Sequence, residues 1–435
     1  MTLRSLFVDL NSYFASVEQV ENDDLRGRPV GVCPVLADSG CCIAASIEAK
    51  RFGVRTGTLV RDARERCPEI VLVEARPALY VRYHHAIVAA IERCLPVASI
   101  GSIDEMACDL VGSERQRDRA VELAKAIKTE IAGVGRGGLR CSVGIAPNRF
   151  LAKTGTDMQK PDGLVVLESS DLPQALFGLE LSDFCGIGPA MLRRVNDHGI
   201  HTVEQLCAAS PLLLRKAWGG VEGERFHARL HGAWHVDAEH ERGSVGHSHV
   251  LPPRLRNRDG AEATLKKLLQ KAAMRLRSYG LVAGALAVKI RYVGAPSWKQ
   301  WRRLDATDDT RRLLHALVEL LATRRDPRPP LSVSVTLVEL LDRSQSTASL
   351  FDETPRQHAL NGLIDRINQR FGNNRIYYGG SQDALDAAPM RIPFNRIPDL
   401  ESEADAEKNE LWLKRTRQAR VLAEAEHRRH EQRRR

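Results

Sequence analysis

Two adjacent carboxylates set between strand-like runs constrain this chain more than any other feature. Val97-Ala98-Ser99-Ile100-Gly101-Ser102-Ile103 leads into Asp104-Glu105, and Met106 to Leu110 follows. Short apolar runs on both sides put the pair at a strand end or tight turn, not on a regular helix face. A third carboxylate, Asp9, closes another strand-like run, Leu3 to Val8. If those strands are neighbours, three negative charges meet, and they repel strongly unless a cation neutralises them. Oxygen donors with no Cys or His beside them suit Mg²⁺ or Mn²⁺ rather than zinc. Two such ions on shared carboxylates form a clamp for in-line phosphoryl transfer. Taken alone, however, an Asp-Glu pair is more often a solvated turn.

The rest of the first half reads as interleaved strands and helices without a regular βα repeat, an α+β pattern. Residues 12–22 suit a helix with Ser12 as its N-cap. Residues 29–35 and 41–46 are strand-like, 79–94 and 115–132 helical, and 141–146 a strand. Segment 171–235 reads as short helices around Cys185-Gly186-Ile187-Gly188-Pro189. A Gly-x-Gly turn between short helices offers backbone N–H groups to a phosphate, although a plain helical corner is as good a reading of the pattern alone. Residues 236–247 are polar and aperiodic and read as a linker. Beyond them come a helix near 261–279, strands at 285–293 and 298–305, a helix at 310–323, a strand at 331–341, a helix at 356–371 and a strand near 375–378. That order is close to βαββαβ.

Charge divides along the same line. Residues 1–243 carry a net −3, residues 244–400 a net +10 and the tail 401–435 a net +2, within a total of +9. Basic surface concentrated in one domain is the footprint of a polyanion binder, or simply a solvated basic face. The nine cysteines include no C-x-x-C pair and none follows Cys207. They read as reduced thiols in a cytoplasmic protein. No apolar run approaches the ~18 residues of a membrane helix, so no membrane role is expected.

Five motifs in order carry a resemblance. Phe7-Val8-Asp9-Leu10-Asn11-Ser12-Tyr13-Phe14-Ala15-Ser16-Val17-Glu18 resembles the opening of Y-family translesion DNA polymerases of the bacterial DinB/UmuC type. So do Ala45 to Val54, Ser102-Ile103-Asp104-Glu105, Gly144 to Lys153, and Lys160-Pro161-Asp162-Gly163. The resemblance implies a right-hand polymerase: a ferredoxin-like palm (1–11 and 78–168), small fingers (12–77), a helical thumb with a helix-hairpin-helix (169–235), a linker (236–247) and a βαββαβ little finger (248–400). A charged tail (401–435) carries no motif. The implied activity is error-prone, template-directed DNA synthesis past damage, of the kind tied to DNA repair, the SOS response and mutator phenotypes.

The resemblance also assigns roles. Asp9, Asp104 and Glu105 fall on metal ligands, and the Leu10 carbonyl completes the nucleotide-side ion. Phe14 falls on the steric gate against ribose, with Tyr13 supporting it. Lys160 matches a triphosphate contact, while Lys153 stands as palm support. Lys50 supplies charge where DinB-like members have an Arg, and Ile47 stands where they have a Tyr, so the finger helix looks closer to UmuC-like members. Gly186 and Gly188 would hold a DNA phosphate. Gln345-Ser346-Thr347-Ala348-Ser349-Leu350-Phe351 resembles a sliding-clamp-binding peptide, with Leu350 and Phe351 as its apolar anchors. Primer-template DNA, deoxynucleoside triphosphates and a sliding clamp are the implied partners, and a monomer is expected. Three other readings stand beside this one: a non-catalytic accessory subunit, a clamp-tethered DNA-binding scaffold and a nucleotidyl cyclase. The three retained carboxylates oppose the first two. The cyclase reading leaves the Gly-x-Gly turn and the basic domain unexplained.

Overall fold

The computed structural model describes residues 2–38, 40–234, 242–345, 354–372 and 375–389, with residues 392, 397, 398 and 400. The chain divides into two compact units, Met1–Ala238 with Ile392–Ile397, and Glu239–Arg391 with Pro398–Arg435.

The first unit opens with β1 (Ser5–Leu10), buried along its whole length, and α1 (Tyr13–Glu21). Ser12 does occupy the N-cap position. It adopts φ 50°, however, and its side chain makes no capping hydrogen bond, contrary to the capping role read from the sequence. A left-handed residue points its side chain away from the N–H groups it would need to cap. A small layer follows: β2 (Val30–Cys33), β3 (Ala44–Ala45), α2 (Ile47–Arg51), α3 (Val60–Arg66) and β4 (Val71–Glu74). Its three strands run in the order β3-β2-β4 over a core that includes Cys33, Cys42, Val54 and Cys67.

The chain then returns to β1. α4 (Pro77–Glu92), β5 (Val97–Ser102), β6 (Glu105–Asp109), α5 (Arg117–Val134) and β7 (Cys141–Ala146) complete a βαββαβ string with β1 as its first strand. α6 (Arg149–Met158) and β8 (Leu164–Val166) extend the sheet to the order β5-β6-β1-β7-β8. β1 is antiparallel to both β6 and β7, and β8 runs parallel to β7. The first four of those strands have the order of a ferredoxin-like sheet. Four short helices close the unit: α7 (Pro189–Asp197), α8 (Val203–Ala208), α9 (Pro211–Trp218) and α10 (Glu222–Leu230). Phe184, Phe226, Leu206 and Leu214 pack them into one core with Leu151 of α6 and Phe7 of β1.

The second unit comprises β9 (Ser244–Val250), α11 (Arg258–Ser278), β10 (Leu281–Tyr292), β11 (Ala295–Thr307), α12 (Thr310–Ala322), β12 (Pro330–Asp342) and α13 (Thr354–Phe371). The order is βαββαβ, opening on a strand that the sequence reading did not contain. β9 begins inside the stretch 236–247 assigned to a linker. Ser-Val-Gly-His-Ser-His-Val is polar enough to pass for one, yet Val245 and His249 turn inward and the backbone pairs with β12. The strand expected near 375–378 is absent. Its backbone groups are taken by helix side chains: Asn368 exchanges two hydrogen bonds with Ile376, and Tyr378 N–H donates to Gln270. The sheet order is β11-β10-β12-β9, with α11 and α12 contributing Leu268, Leu276, Leu313 and Leu317 to its core.

α6 lies unusually close to β7. A Cβ at Gly144 would stand 1.9 Å from the carbonyl oxygen of Ala152, so only glycine lets this helix approach the sheet. Gly144→Ala is therefore expected to lower unfolding free energy by about 2–3 kcal/mol. Urea denaturation should show a lower midpoint with the slope unchanged.

Candidate active site

β1 and β6 lie side by side with Asp9 opposite Glu105. Asp104 occupies the two-residue turn between β5 and β6, and the Leu10 N–H donates to its carbonyl at 2.9 Å. Pairing of β1 with β6 thus brings Asp9, Leu10, Asp104 and Glu105 to one sheet end, as the strand-end reading required. Asp9 is 5% exposed. Burial raises the Asp104 carboxyl above the usual range, with Asp9 and Glu105 adding to the effect and a hydrogen bond from Ser102 Oγ, at 2.5 Å, opposing it.

Two ammonium groups meet these carboxylates. Lys153 Nζ, from α6, lies 2.5 Å from Asp9, 2.9 Å from Glu105 and 3.3 Å from Asp157. Lys160 Nζ lies 2.8 Å from Asp9 and 2.6 Å from Asp157. Burial alone would lower the Lys153 ammonium, but Asp9, Glu105 and Asp157 reverse this and hold it above the lysine range. Lys160 behaves the same way, with Asp9 as its chief partner. Lys50, on α2, is pushed down by desolvation and by Lys160, and feels Asp9 and Asp104 as well. Lys153 thus pairs directly with the candidate ligands Asp9 and Glu105, and Asp157 links both lysines. Asp157 was missed: it lies four residues after Lys153 and three before Lys160, a spacing that marks no function by itself.

Among the described residues, no three His, Cys, Asp or Glu side chains form a ready metal cage. The donor chemistry nevertheless fits hard cations. Every ligand candidate is oxygen, and Lys153 shows that Asp9 and Glu105 converge on one positive charge.

On α1, which follows β1, Phe14 is half-buried and stacked on Tyr80 of α4, with centroids 4.4 Å apart and planes at 18°. Tyr13 is buried, tilts against Phe14 at 5.6 Å, and donates its hydroxyl to the Tyr80 carbonyl at 2.7 Å. The Tyr80 hydroxyl in turn donates to Glu18 at 2.7 Å, and Arg76 pairs with Glu18. Tyr80 was missed because it lies 66 positions from Phe14, with no local pattern linking the two. Asn11, not counted as a ligand, accepts a hydrogen bond from Asp162 N–H at 2.7 Å and pins the loop after Lys160.

At the Gly-x-Gly turn, Gly186 has φ +96° and Gly188 stands at the N-terminus of α7. A side chain at Gly188 would meet open space, so the turn is on the surface. The helix before it is only a 3₁₀ turn, Leu181–Asp183. Leu350 and Phe351 lie outside the described residues.

A ferredoxin-like sheet with carboxylates gathered at one end, lysines upon them and a stacked aromatic pair on the adjoining helices is an arrangement suited to nucleotidyl transfer. The impB/mucB/samB family model matches residues 8–157, and the family's C-terminal domain matches residues 242–350. A DNA polymerase IV of Moorella thermoacetica is 32% identical, over 86% of this chain and 98% of that protein. One of Pelotomaculum thermopropionicum is 31% identical, over 85% and 93%. A Y-family DNA polymerase chimera superposes with TM-score 0.66 at 25% identity, covering 78% of this chain and 99% of that one. The chain belongs to the impB/mucB/samB family, the Y-family DNA polymerases. Its chain-wide likeness is to DNA polymerase IV, the DinB-type branch, so the UmuC-like look of Ile47 and Lys50 is confined to α2.

Asp9 is the most buried of the three site carboxylates and leans on two cations. Lys153→Met should lower unfolding free energy of the chelated protein by about 2–4 kcal/mol, since a buried carboxylate loses one partner. Urea unfolding in a chelating buffer measures it.

Proposed function

We propose that this Y-family DNA polymerase adds deoxynucleotides to a primer 3′-end, opposite damaged as well as intact template, through the site at the end of β1 and β6. One observation carries the reading: the register that sets Asp9 beside Glu105, with Asp104 in the adjoining turn. Asp9, Asp104, Glu105 and the Leu10 carbonyl would hold two Mg²⁺ ions, or Mn²⁺. When bound, these supply acidification of the primer hydroxyl and charge neutralisation at the triphosphate.

The chain's own residues do the rest. Lys160 and Lys50 bring positive charge to the triphosphate, as mobile point charges that can follow it. Phe14, backed by Tyr80 and steadied by Tyr13, presents an apolar face below the sugar. A 2′-hydroxyl there finds neither space nor a hydrogen-bond partner. The turn at Gly186 and Gly188 would donate backbone N–H groups to a duplex phosphate. The strongly basic second unit would add phosphate contacts that are indifferent to sequence and weakened by salt.

In this reading residues 1–11 and 78–168 are palm, 12–77 fingers, 169–235 thumb and the second unit the little finger, now starting at Ser244. A sliding clamp is the proposed tether, through Leu350 and Phe351. The protein works as a cytoplasmic monomer, a reading supported by its free cysteines. None of the described helices is long and apolar enough to cross a membrane.

Primer extension with Mg²⁺ on intact and abasic templates tests the proposal. Asp104→Ala should reduce extension by at least ~10³-fold, since it removes a group aimed at developing charge. Activity retained by that variant would sink the site assignment. Phe14→Ala should incorporate ribonucleotides at least ~10-fold more readily relative to deoxynucleotides, read from single-nucleotide insertion.

A further inference from the structure

The carboxylate turn is not shaped by its two central residues alone. Two-residue hairpin loops favour positive φ, which Gly, Asn and Asp supply most readily. Ile103 and Asp104 form this loop, and neither has positive φ. β-branched Ile103 could not take such a conformation without strain. The geometry that aims Asp104 must therefore be imposed by contacts.

Four hydrogen bonds hold it. Leu10 N–H donates to the Asp104 carbonyl at 2.9 Å, and Ser102 Oγ donates to the Asp104 carboxylate at 2.5 Å and accepts from the Asp104 N–H at 3.4 Å. The fourth comes from outside the sheet: His84, on α4, meets the Ile103 carbonyl through Nδ1 at 2.8 Å. A carbonyl only accepts, so Nδ1 carries the proton and donates. His84 is 1% exposed and Ile103 4%, so water does not substitute for the bond. Nε2 is buried with no hydrogen-bond partner among the described residues. Burial keeps the ring in its neutral form. A ring placed only to fill the core would not require its single donor to face the one carbonyl that precedes Asp104. Phenylalanine or leucine fills space without leaving a buried nitrogen unpaired.

We propose that His84 is a positioning residue for the polymerase reaction: its Nδ1–H fixes the Ile103–Asp104 peptide and so aims the Asp104 carboxylate at the reacting centre. The proposal rests on the reading of Asp104 as a cation ligand and goes one residue beyond it. His84 touches neither nucleotide nor cation and acts through the turn alone.

Three substitutions separate positioning from packing. His84→Asn keeps an N–H donor near the place of Nδ1. His84→Gln places its donor near Nε2 instead, and His84→Leu has none. Each is tested for the single-turnover rate of nucleotide insertion, the nucleotide concentration at half-maximal rate, DNA affinity, melting temperature, and Mn²⁺ affinity by electron paramagnetic resonance. Positioning predicts that Asn retains most of the rate, while Gln and Leu lose about 30- to 100-fold, the scale of an ångström's misplacement. It also predicts that Leu weakens Mn²⁺ binding several-fold, with DNA affinity and half-maximal nucleotide concentration within about twofold of the parent. Equal rates for Asn and Leu, or a loss that follows melting temperature and spares Mn²⁺ affinity, would overturn it. If the Leu variant does not fold, the Asn-against-Gln contrast decides alone, and equal rates for those two overturn the proposal. Asp104→Ala, run alongside, distinguishes the two levels. If it retains activity, the underlying site reading fails. If it is inactive while His84→Leu is unaffected, only the role of His84 fails.

Discussion

Charge neutralisation at Asp9 governs the architecture of the first unit. A carboxylate buried at the end of the central strand, with Asp104 and Glu105 close by, is sustained only if positive charge is delivered to the same point. Lys153 and Lys160 deliver it from one element and the loop that follows it. That element must lie almost on the sheet for a lysine stem to reach, and Gly144 permits the approach by having no side chain under Ala152. Asn11 then pins the loop beyond Lys160, so the second ammonium has an anchored base. The glycine in β7 and the close placement of α6 both serve this one electrostatic requirement. The same arrangement answers the chemistry, because a point where carboxylates already converge on a cation is where a polyphosphate and its counter-ions can be held.

The aromatic shelf depends on a second polar anchor. Phe14 lies on Tyr80, whose hydroxyl ends on the buried Glu18, itself paired with Arg76. Glu18 is one helical turn beyond Phe14 on α1, and Arg76 stands at the entrance to α4. The network therefore ties α1 to α4, and the position of Phe14 is set by hydrogen bonds as well as by apolar packing. An apolar substitute for Tyr80 would keep the stack but lose its fixed depth.

Much of this was legible in the sequence, for physical reasons. Asp9, Asp104 and Glu105 could be brought together because strands end where apolar runs stop, and Cys141–Ala146 was read with its true limits because both its faces are buried. β9 was hidden: its histidines and serines look like a linker, and only pairing with β12 makes it a strand. Both units turn out to contain a βαββαβ string, yet the first sheet pairs its first strand with its third and fourth, while the second leaves its third strand at an edge. Strand order depends on which helix faces meet, which a string of elements does not contain. Tyr80, His84 and Asp157 were missed because each acts on a partner rather than on substrate. Such residues have no motif, only a neighbour.

Ile47 shows how far a local departure can be absorbed. It sits at the start of α2, where its side chain offers no hydrogen bond to a phosphate, while Lys50 lies one turn on and feels Asp9, Asp104 and Lys160 together. Ser46 caps the helix through a bond to Ala49 N–H and also accepts from Val30 N–H, fixing α2 to β2. The position of Lys50 is thus set by the backbone of the small domain, independently of what stands at 47. On the proposed reading, an aliphatic residue there gives up one directional contact to the triphosphate and keeps the electrostatic one. Nucleotide binding through this helix should accordingly depend more on charge and less on geometry than in a relative with a tyrosine in that place, and so be more sensitive to ionic strength.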